Sequence, residues 1–425
     1  AASLICLLVP LQMASQTWDD HDRSGRYVAR DFGRNYLESC DPNAIIFTHG
    51  DNDTFPLWYV QEVEGARTDV RVCNTSYLQT DWYINQMKRQ AYNSDPLPIS
   101  WTHKDYLQGK REAIYIISPD EHPKPIGIST ALNFIKSDDD RHKYPYGDTK
   151  IDYIPSSKFV LRIDSANIVK NKTVNKEYEP YIEKEMIFDF GGKNHLTKVE
   201  VITMDMINTN KWERPIYYAS SIPGYLYGYA GNNIQKTGLA FQLVPMNTTE
   251  HDIPINTRKM YDNIMNKFKW GGIDKPGVYL EENTMRMCKS YRQVLFADLA
   301  ETLMKEEKRD SALKVLDRCM EVMPEENIPY DISVYPIARL YFSLGEIEKA
   351  KFITAKMVER CMIEVDWMLR LKPSQRESFL RNINYNLAVM RDILSISLQY
   401  DKEFAQSYVE RFNKYSLQLD SSQKK

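Results

Sequence analysis

The sequence predicts an α/β fold: a parallel α/β domain with a β-rich insertion, followed by an all-α domain of tetratricopeptide-like helical repeats. Three observations predict it. Short apolar runs alternate with amphipathic helical stretches from Trp18 to about Tyr92, strand-like runs separated by polar insertions follow to about residue 280, and helical periodicity fills the remainder. The expected boundaries are 1–13 for an apolar segment, 14–280 for the α/β domain and 281–425 for the repeats. A chain of 425 residues has room for two to four domains of about 100–200 residues each.

The elements follow in order. Ala1 to Met13 carries no charge and is almost wholly apolar, but a membrane span needs about 20 such residues. It reads as a signal-peptide core, a buried helix, or the outer end of a transmembrane helix that begins upstream, and the last is the expectation carried forward. Val28, Phe32 and Tyr36 lie four apart in a helix over 26–40, stopped by Asp41-Pro42. Ala44 to Thr48 is a continuous apolar run, as expected of a strand buried on both faces. His49 to Asp53 is the loop after it. Asp53 or Thr54 is expected to cap the next helix, with Pro56 in its first turn and Gly65 closing it. Asp69 to Asn74 reads as the next strand, and Thr80-Asp81 caps a helix through Met87. Strand–helix–strand–helix at this spacing is a right-handed parallel unit.

Further strands are expected at Ala113–Ile117, Phe159–Ile163, Ile187–Phe190, Pro215–Ala219 and Leu239–Val244, with a helix over Leu196–Asn210. Lys136 to Thr149, with its three consecutive aspartates, reads as a polar insertion. After Gly277 the small residues Ala300 and Ala312 recur as Ala338 and Ala350, each 38 residues later, close to the tetratricopeptide period of about 34. A third, degenerate pair is expected from Asn382 to Leu417. Such pairs form either a concave peptide-binding surface or a packing module.

Composition excludes several classes. Lys+Arg 55 against Asp+Glu 58 gives a net charge of −3, which offers nucleic acid no general electrostatic hold. The six cysteines are dispersed without zinc-ligand spacing and read mostly as buried thiols. There is no GxGxxG, P-loop, GxSxG or HExxH pattern. The 28 tyrosines suit either amphipathic surfaces that stack on sugar or peptide, or ordinary half-buried packing.

Two clusters can carry chemistry. Asp19, Asp20, His21, Asp22 and Arg23 follow the apolar start, a density that can bind a cation, orient a base, or pair locally around a helix cap. His49, Asp51, Asn52, Asp53 and Thr54 form the second cluster. They lie beyond the carboxyl end of a parallel strand, where open sheets bind ligands, and Asn74 and Ser76 stand at the end of the next one. Asp51 and Asp53 would repel a bare phosphate, so sugar hydroxyls, a cationic group or a divalent metal fit better. Asp-Asn-Asp also matches the Asp-x-Asp pattern by which nucleotide-sugar transferases hold Mn²⁺ or Mg²⁺. A plain turn-and-cap role is the third reading.

The strings WDDHDRSGRY and PNAIIFTHGDNDTFPLWYVQEVEGARTDVRVCNTSYLQTDWYINQMKR closely resemble the soluble C-terminal region of a Bacteroidetes membrane-protein family. That family was formerly of unknown function and is grouped with protein O-mannosyltransferase-like enzymes of the GT-C type. The Glu64-Gly65-Ala66-Arg67-Thr68-Asp69-Val70 and Trp82-Tyr83 segments carry a more distant similarity to animal O-mannosyltransferases acting on plexin-type receptors, in which the carboxylate pair of the Asp51-Asn52-Asp53 loop is not kept. The resemblance is strong over 14–92, patchy to about 280 and of repeat type beyond. It implies a lipid-linked sugar donor, transfer to Ser or Thr, and an inner-membrane protein with this portion facing the periplasm, partnered by its own upstream membrane domain. It also implies that the catalytic acids sit on an external loop of the membrane half. This region would then be non-catalytic and assist acceptor binding or assembly, the repeats engaging acceptor protein or peptide. The alternatives are a self-contained nucleotide-sugar transferase using Asp51 and Asp53, and a scaffolding module.

Overall fold

The computed structural model describes residues 2–118 and 123–423. It forms two compact units, Ala29–Lys269 and a second made of Ala1–Val28 with Trp270–Lys425. Mixed sheets occupy the first and helices the second, in agreement with the expected α/β-then-α order.

Helix α1 (Ala2–His21) is followed by α2 (Val28–Glu38), whose Tyr36 and Leu37 are buried. Strand β1 (Ile45–Thr48) is buried at every position, and so is β2 (Arg71–Asn74). Between them runs α3 (Asp51–Glu62), and α4 (Asp81–Met87) follows β2. Both strands are short and covered on both faces, which is why β1 reads as an unbroken apolar run, whereas β2 buries Arg71 and Asn74 at its two ends.

The insertion then supplies β3 (Ala113–Ile116), β4 (Ile126–Gly127), α5 (Ile128–Lys136), β5 (Lys143–Tyr146), β6 (Thr149–Ile154), β7 (Lys158–Arg162), α6 (Ser165–Asn171), β8 (Glu185–Asp189), β9 (His195–Thr197) and α7 (Lys198–Asn210). Its strands make two small sheets, ordered β5-β6-β3-β9 and β4-β7-β8. The chain returns to the first sheet with β10 (Ile216–Ala219), β11 (Ile234–Lys236) and β12 (Ala240–Leu243), and α8 (Thr257–Asp262) follows. The five-stranded sheet has the order β11-β12-β10-β1-β2. β1 is parallel to both neighbours, with Ile45 opposite Ile216 on one side and Arg71 on the other.

Arginine fixes the loop ends. Arg67, at φ 51°, donates to the carbonyls of Leu37 (2.5 Å), Cys40 (3.2 Å) and Asp41 (3.1 Å) and pairs with Asp69 (3.0 Å). It thereby holds the segment that leads out of α2, through Leu37 in its last turn and Cys40 and Asp41 beyond it. Gly33 packs α2 on α3, since a Cβ there would lie 2.4 Å from the carbonyl oxygen of Pro56.

Three expectations need correction. Helix α3 starts at Asp51 behind Gly50, which sits at φ 74°, so Asp53 and Thr54 are inside its first turn and cap nothing. Pro56 therefore falls in the second turn, where it has no N–H to give the Asn52 carbonyl. The helix expected from Leu196 begins at Lys198, because Thr197 and Glu200 form a capping box (Thr197 N–H to Glu200 carboxylate, 2.7 Å) after β9. The supposed polar insertion over 136–149 contains half of a hairpin, β5 with β6, in which Lys143 faces Asp152 at 2.5 Å.

In the second unit, α9 (Glu282–Tyr291) runs through a π-turn into α10 (Asp298–Lys305), followed by α11 (Arg309–Val322), α12 (Tyr335–Leu344), α13 (Ile347–Arg370), α14 (Pro373–Tyr400) and α15 (Lys402–Gln423). Ala300, Ala312, Ala338 and Ala350 are all fully buried. Asn382 opens no new helix. It lies within the 28-residue α14, which has neither Gly nor Pro after Pro373 to end it. Cys40, Cys73, Cys288, Cys319 and Cys361 are buried free thiols.

Gly33→Ala is expected to lower stability by about 1–3 kcal/mol through overpacking against Pro56. Urea unfolding should show a lower midpoint with unchanged slope, and an unchanged midpoint would mean that α2 and α3 do not meet there.

Candidate functional site

The chain steps from β1 to β2 on one side, and β10 later pairs with β1 on the other. The strand order thus reverses at β1, and in open sheets ligands bind at such a point, beyond the carboxyl ends of the strands. Three loops meet there: Ser220-Ser221 after β10, His49 to Asp53 after β1, and Thr75-Ser76 after β2.

Hydrogen bonds tie the β1 and β2 loops together. Thr54 Oγ1 donates to the Gly50 carbonyl (2.7 Å) and accepts from Thr48 Oγ1 (2.8 Å) and Asn74 Nδ2 (3.0 Å). Asn74 Oδ1 receives the Ser76 N–H (2.8 Å). These bonds use up Thr54 and the Asn74 side chain, which therefore hold the loops in place. Thr75 Oγ1 donates to the Thr48 carbonyl (2.8 Å), so it can only accept from His49 Nδ1, 2.9 Å away. Nδ1 therefore carries the proton, and Nε2 is left with its lone pair. Ser76 Oγ, 3.2 Å from both His49 Nδ1 and the Gly50 N–H, accepts from each and keeps its own proton to give.

Asp53 is buried, and burial raises its pKa above the ordinary carboxylate range. The Ser221 hydroxyl, the His49 backbone N–H and the charge of a protonated His49 act in the opposite sense. Among the described residues no Lys or Arg pairs with it. Ser221 in turn meets the hydroxyl of buried Tyr36 at 3.0 Å, and Ser220 meets it at 3.1 Å. Burial pushes the Tyr36 phenol up to about 12, so it stays neutral.

Asp51 and Asn52 are exposed, and Tyr77 donates to Asp51 at 3.4 Å. Side chains two apart on a helix point in different directions, and here one carboxylate faces solvent while the other is interior. Among the described residues no group of three or more His, Cys, Asp or Glu is placed to hold a metal. Beside Asp51 runs a line of rings, Phe55–Trp58 at 5.6 Å, Trp58–Tyr77 at 6.4 Å and Tyr77–Trp82 at 6.0 Å, exposed at its Phe55 and Trp82 ends.

The sequence model of the family described as TMEM260-associated domain 2 matches residues 29–264, more than half of the chain and nearly the whole of the unit that carries this site. The chain belongs to that family. No curated protein and no solved structure matches it. In this TMEM260-associated domain, the Glu64 to Val70 string has a structural part, with Arg67 and Asp69 fastening the end of α2 to the start of β1.

The other sequence cluster lies in the second unit. The side chains of Asp19 and Asp20 lie outside the described residues. His21 ends α1, its Nδ1 2.8 Å from the Thr17 carbonyl. Asp22 accepts the Ser24 N–H at 2.7 Å, so it closes a turn and caps no helix, and the Ser24 hydroxyl, with this N–H, holds its carboxyl below the ordinary value. Arg23 Nη1 donates to the Asp22 carbonyl at 3.4 Å. Tyr36, Ser220 and Ser221 escaped sequence reasoning. Nothing local marks them, because the pairing of β10 with β1 brings them in from far along the chain.

The raised pKa of Asp53 has a definite sign. Between the ordinary value of 3.8 and its higher folded value, the native protein holds a proton that the unfolded chain has released. This group's contribution to stability therefore falls as the pH rises through that window. At pH 7, Asp53→Asn is expected to be at least as stable as the wild type, which should gain on the variant as the pH drops toward 3.8. Thermal melts of both proteins across pH 3.5–7 check this, and a gap that widens against the wild type on acidification would contradict it.

Proposed function

We propose that this chain is the extracytoplasmic, non-catalytic part of a membrane-embedded protein O-glycosyltransferase-like protein. The TMEM260-associated domain would bind a hydroxyl-bearing part of acceptor or sugar at the carboxyl ends of β10, β1 and β2. The observation that carries this reading is Asp53, a buried carboxylate beside hydroxyl and N–H donors, with no cationic partner of Lys or Arg type among the described residues. With the Nε2 lone pair of His49 beside it, the site favours a neutral ligand that donates hydrogen bonds and disfavours anions. Ring faces at Phe55 and Trp82 give the ligand's apolar side a surface.

Other features support the wider setting. Family membership associates the domain with TMEM260-like, mannosyltransferase-type proteins. No helix among the described residues is long and apolar enough to cross a membrane. Yet α1 exposes Leu4, Ile5, Leu7, Leu8, Val9 and Leu11, each more than half accessible, as expected of a helix that continues into lipid from an upstream membrane domain. The helical unit, with alanines buried between paired helices, is the candidate surface for acceptor peptide or assembly.

The test incubates the chain with polyprenyl-phosphate mannose and a Ser/Thr-rich peptide, and separately titrates methyl α-mannoside and the peptide by calorimetry. Expected are no sugar transfer, and millimolar binding of one probe that His49→Gln or Ser76→Ala weakens about tenfold. Efficient transfer by this chain alone would overturn the non-catalytic role. Binding that ignores both substitutions would overturn the site.

A further inference from the structure

A second site is built around Arg71, the first residue of β2. The residue is only 4% exposed. Its Nη2 donates to the carbonyls of Gln86 (3.2 Å), Met87 (3.3 Å) and Arg89 (2.7 Å). Nε and Nη1 are buried without any acceptor, so three of its five N–H bonds are unused. Among the described residues no carboxylate pairs with it. Arg214, held the same way by the carbonyls of Asn43 (2.8 Å) and Asp95 (3.1 Å), is near enough that the charge of Arg71 adds to the burial that disfavours its own.

A buried, half-satisfied cation without a counter-ion is costly, and an oxyanion would supply both the charge and the missing acceptors. Space for one lies alongside. Arg71 lines a cavity of about 380 Å³ between α3 and α4, whose walls include Trp58, Val72, Tyr83 and Met87. That volume suits a small ligand with an apolar or aromatic body. Exposed Glu62 lines the same cavity and accepts from Tyr92, so a dianion such as phosphate meets repulsion at the rim. Gln86 and Gln90, also exposed, are flexible chains that a ligand can push aside to reach the sealed guanidinium.

We propose that this cavity is a carboxylate-binding site, with Arg71 receiving the carboxylate head of a monoanion and the Trp58–Tyr83 walls its apolar body. The site is separate from the Asp53 crevice and stands without the function proposed for that crevice. Its carboxylate could belong to a free small acid or to a polypeptide end.

The test titrates the chain by calorimetry with 3-phenylpropionate, its amide, inorganic phosphate, and a Phe-ended tetrapeptide with free or amidated C-terminus. The acid is expected to bind at least tenfold more tightly than its amide, and phosphate more weakly than either carboxylate probe. Tighter binding of the free-ended peptide than of 3-phenylpropionate assigns the carboxylate to a polypeptide, and the reverse order assigns it to a small acid. Arg71→Gln should abolish the preference for acid over amide. In case that variant does not fold, Gln90→Glu places a negative charge at the exposed rim and should weaken acid binding about threefold or more without moving the melting temperature. Equal binding of acid and amide, absence of binding by both carboxylate probes, tighter binding of phosphate, or a folded Arg71→Gln with unchanged affinity would each overturn the proposal.

Discussion

The position of β1 between two parallel partners governs the rest of the sheet unit. Its neighbours come from opposite directions in the sequence, β2 a single helix away and β10 after the whole insertion. Because side chains alternate along a strand, a one-residue slip in either pairing would exchange the side chains between the two covered faces, and the register opposite Ile45 is held from both edges. The amino ends are tied by main chain and guanidinium. The Ile45 N–H donates to the Pro215 carbonyl (2.8 Å), the Arg71 N–H to the Ala44 carbonyl (2.8 Å), and Arg214 spans the carbonyls of Asn43 and Ala44. The carboxyl ends are tied instead by hydroxyls and an amide. The two ends of the sheet are thus held by different groups, carbonyls and guanidiniums at one and hydroxyls and an amide at the other.

Charge follows the same division. At the amino end, buried arginines are answered by carbonyl oxygens, which satisfy N–H bonds but carry no full negative charge. Burial accordingly pushes Arg214 down to about 10. At the carboxyl end a buried carboxylate is answered by N–H and O–H groups, again without a full opposite charge, and burial pushes it up. Neither arrangement stabilises the fold by ion pairing. A domain selected for stability alone would gain by pairing such charges or by replacing them with apolar groups, so both sites call for a reason beyond packing.

How far the sequence revealed this depended on the range of the forces involved. β1 and β10 are legible because burial on both faces demands unbroken apolar runs, and the register merely aligns them. The start of α3 was misread because Asp53 and Thr54 are good capping residues locally. The true break is set by Gly50, whose positive φ ends the strand, and by Thr54 folding its hydroxyl back to the Gly50 carbonyl. The capping box at Thr197-Glu200 was available in the sequence and went unused. The β5–β6 hairpin, with Gly147-Asp148 at its turn, was hidden because both its strands are polar and largely exposed. Asp53 was flagged from its loop. That it is buried, and that Tyr36, Ser220 and Ser221 surround it, depends on strand pairing across more than 150 intervening residues, which no local pattern encodes.

The hydroxyl network also decides what the crevice can do. Had Thr75 been free to donate, His49 could present either tautomer, and its outward nitrogen could give or take a proton. With the Thr75 proton spent on Thr48, rotation of that proton toward His49 would leave the Thr48 carbonyl unanswered in a buried setting, a loss of roughly 1–3 kcal/mol. The outward Nε2 is therefore held as an acceptor in the neutral protein. The carboxyl oxygens of Asp53 are acceptors too, and Ser76 supplies a donor beside them. Two acceptors and one hydroxyl donor, next to exposed ring faces, complement a ligand that carries several hydroxyls. They would leave a phosphate facing negative charge with no cation to answer it, which separates this crevice from the phosphate-binding helix N-termini of other α/β sheets.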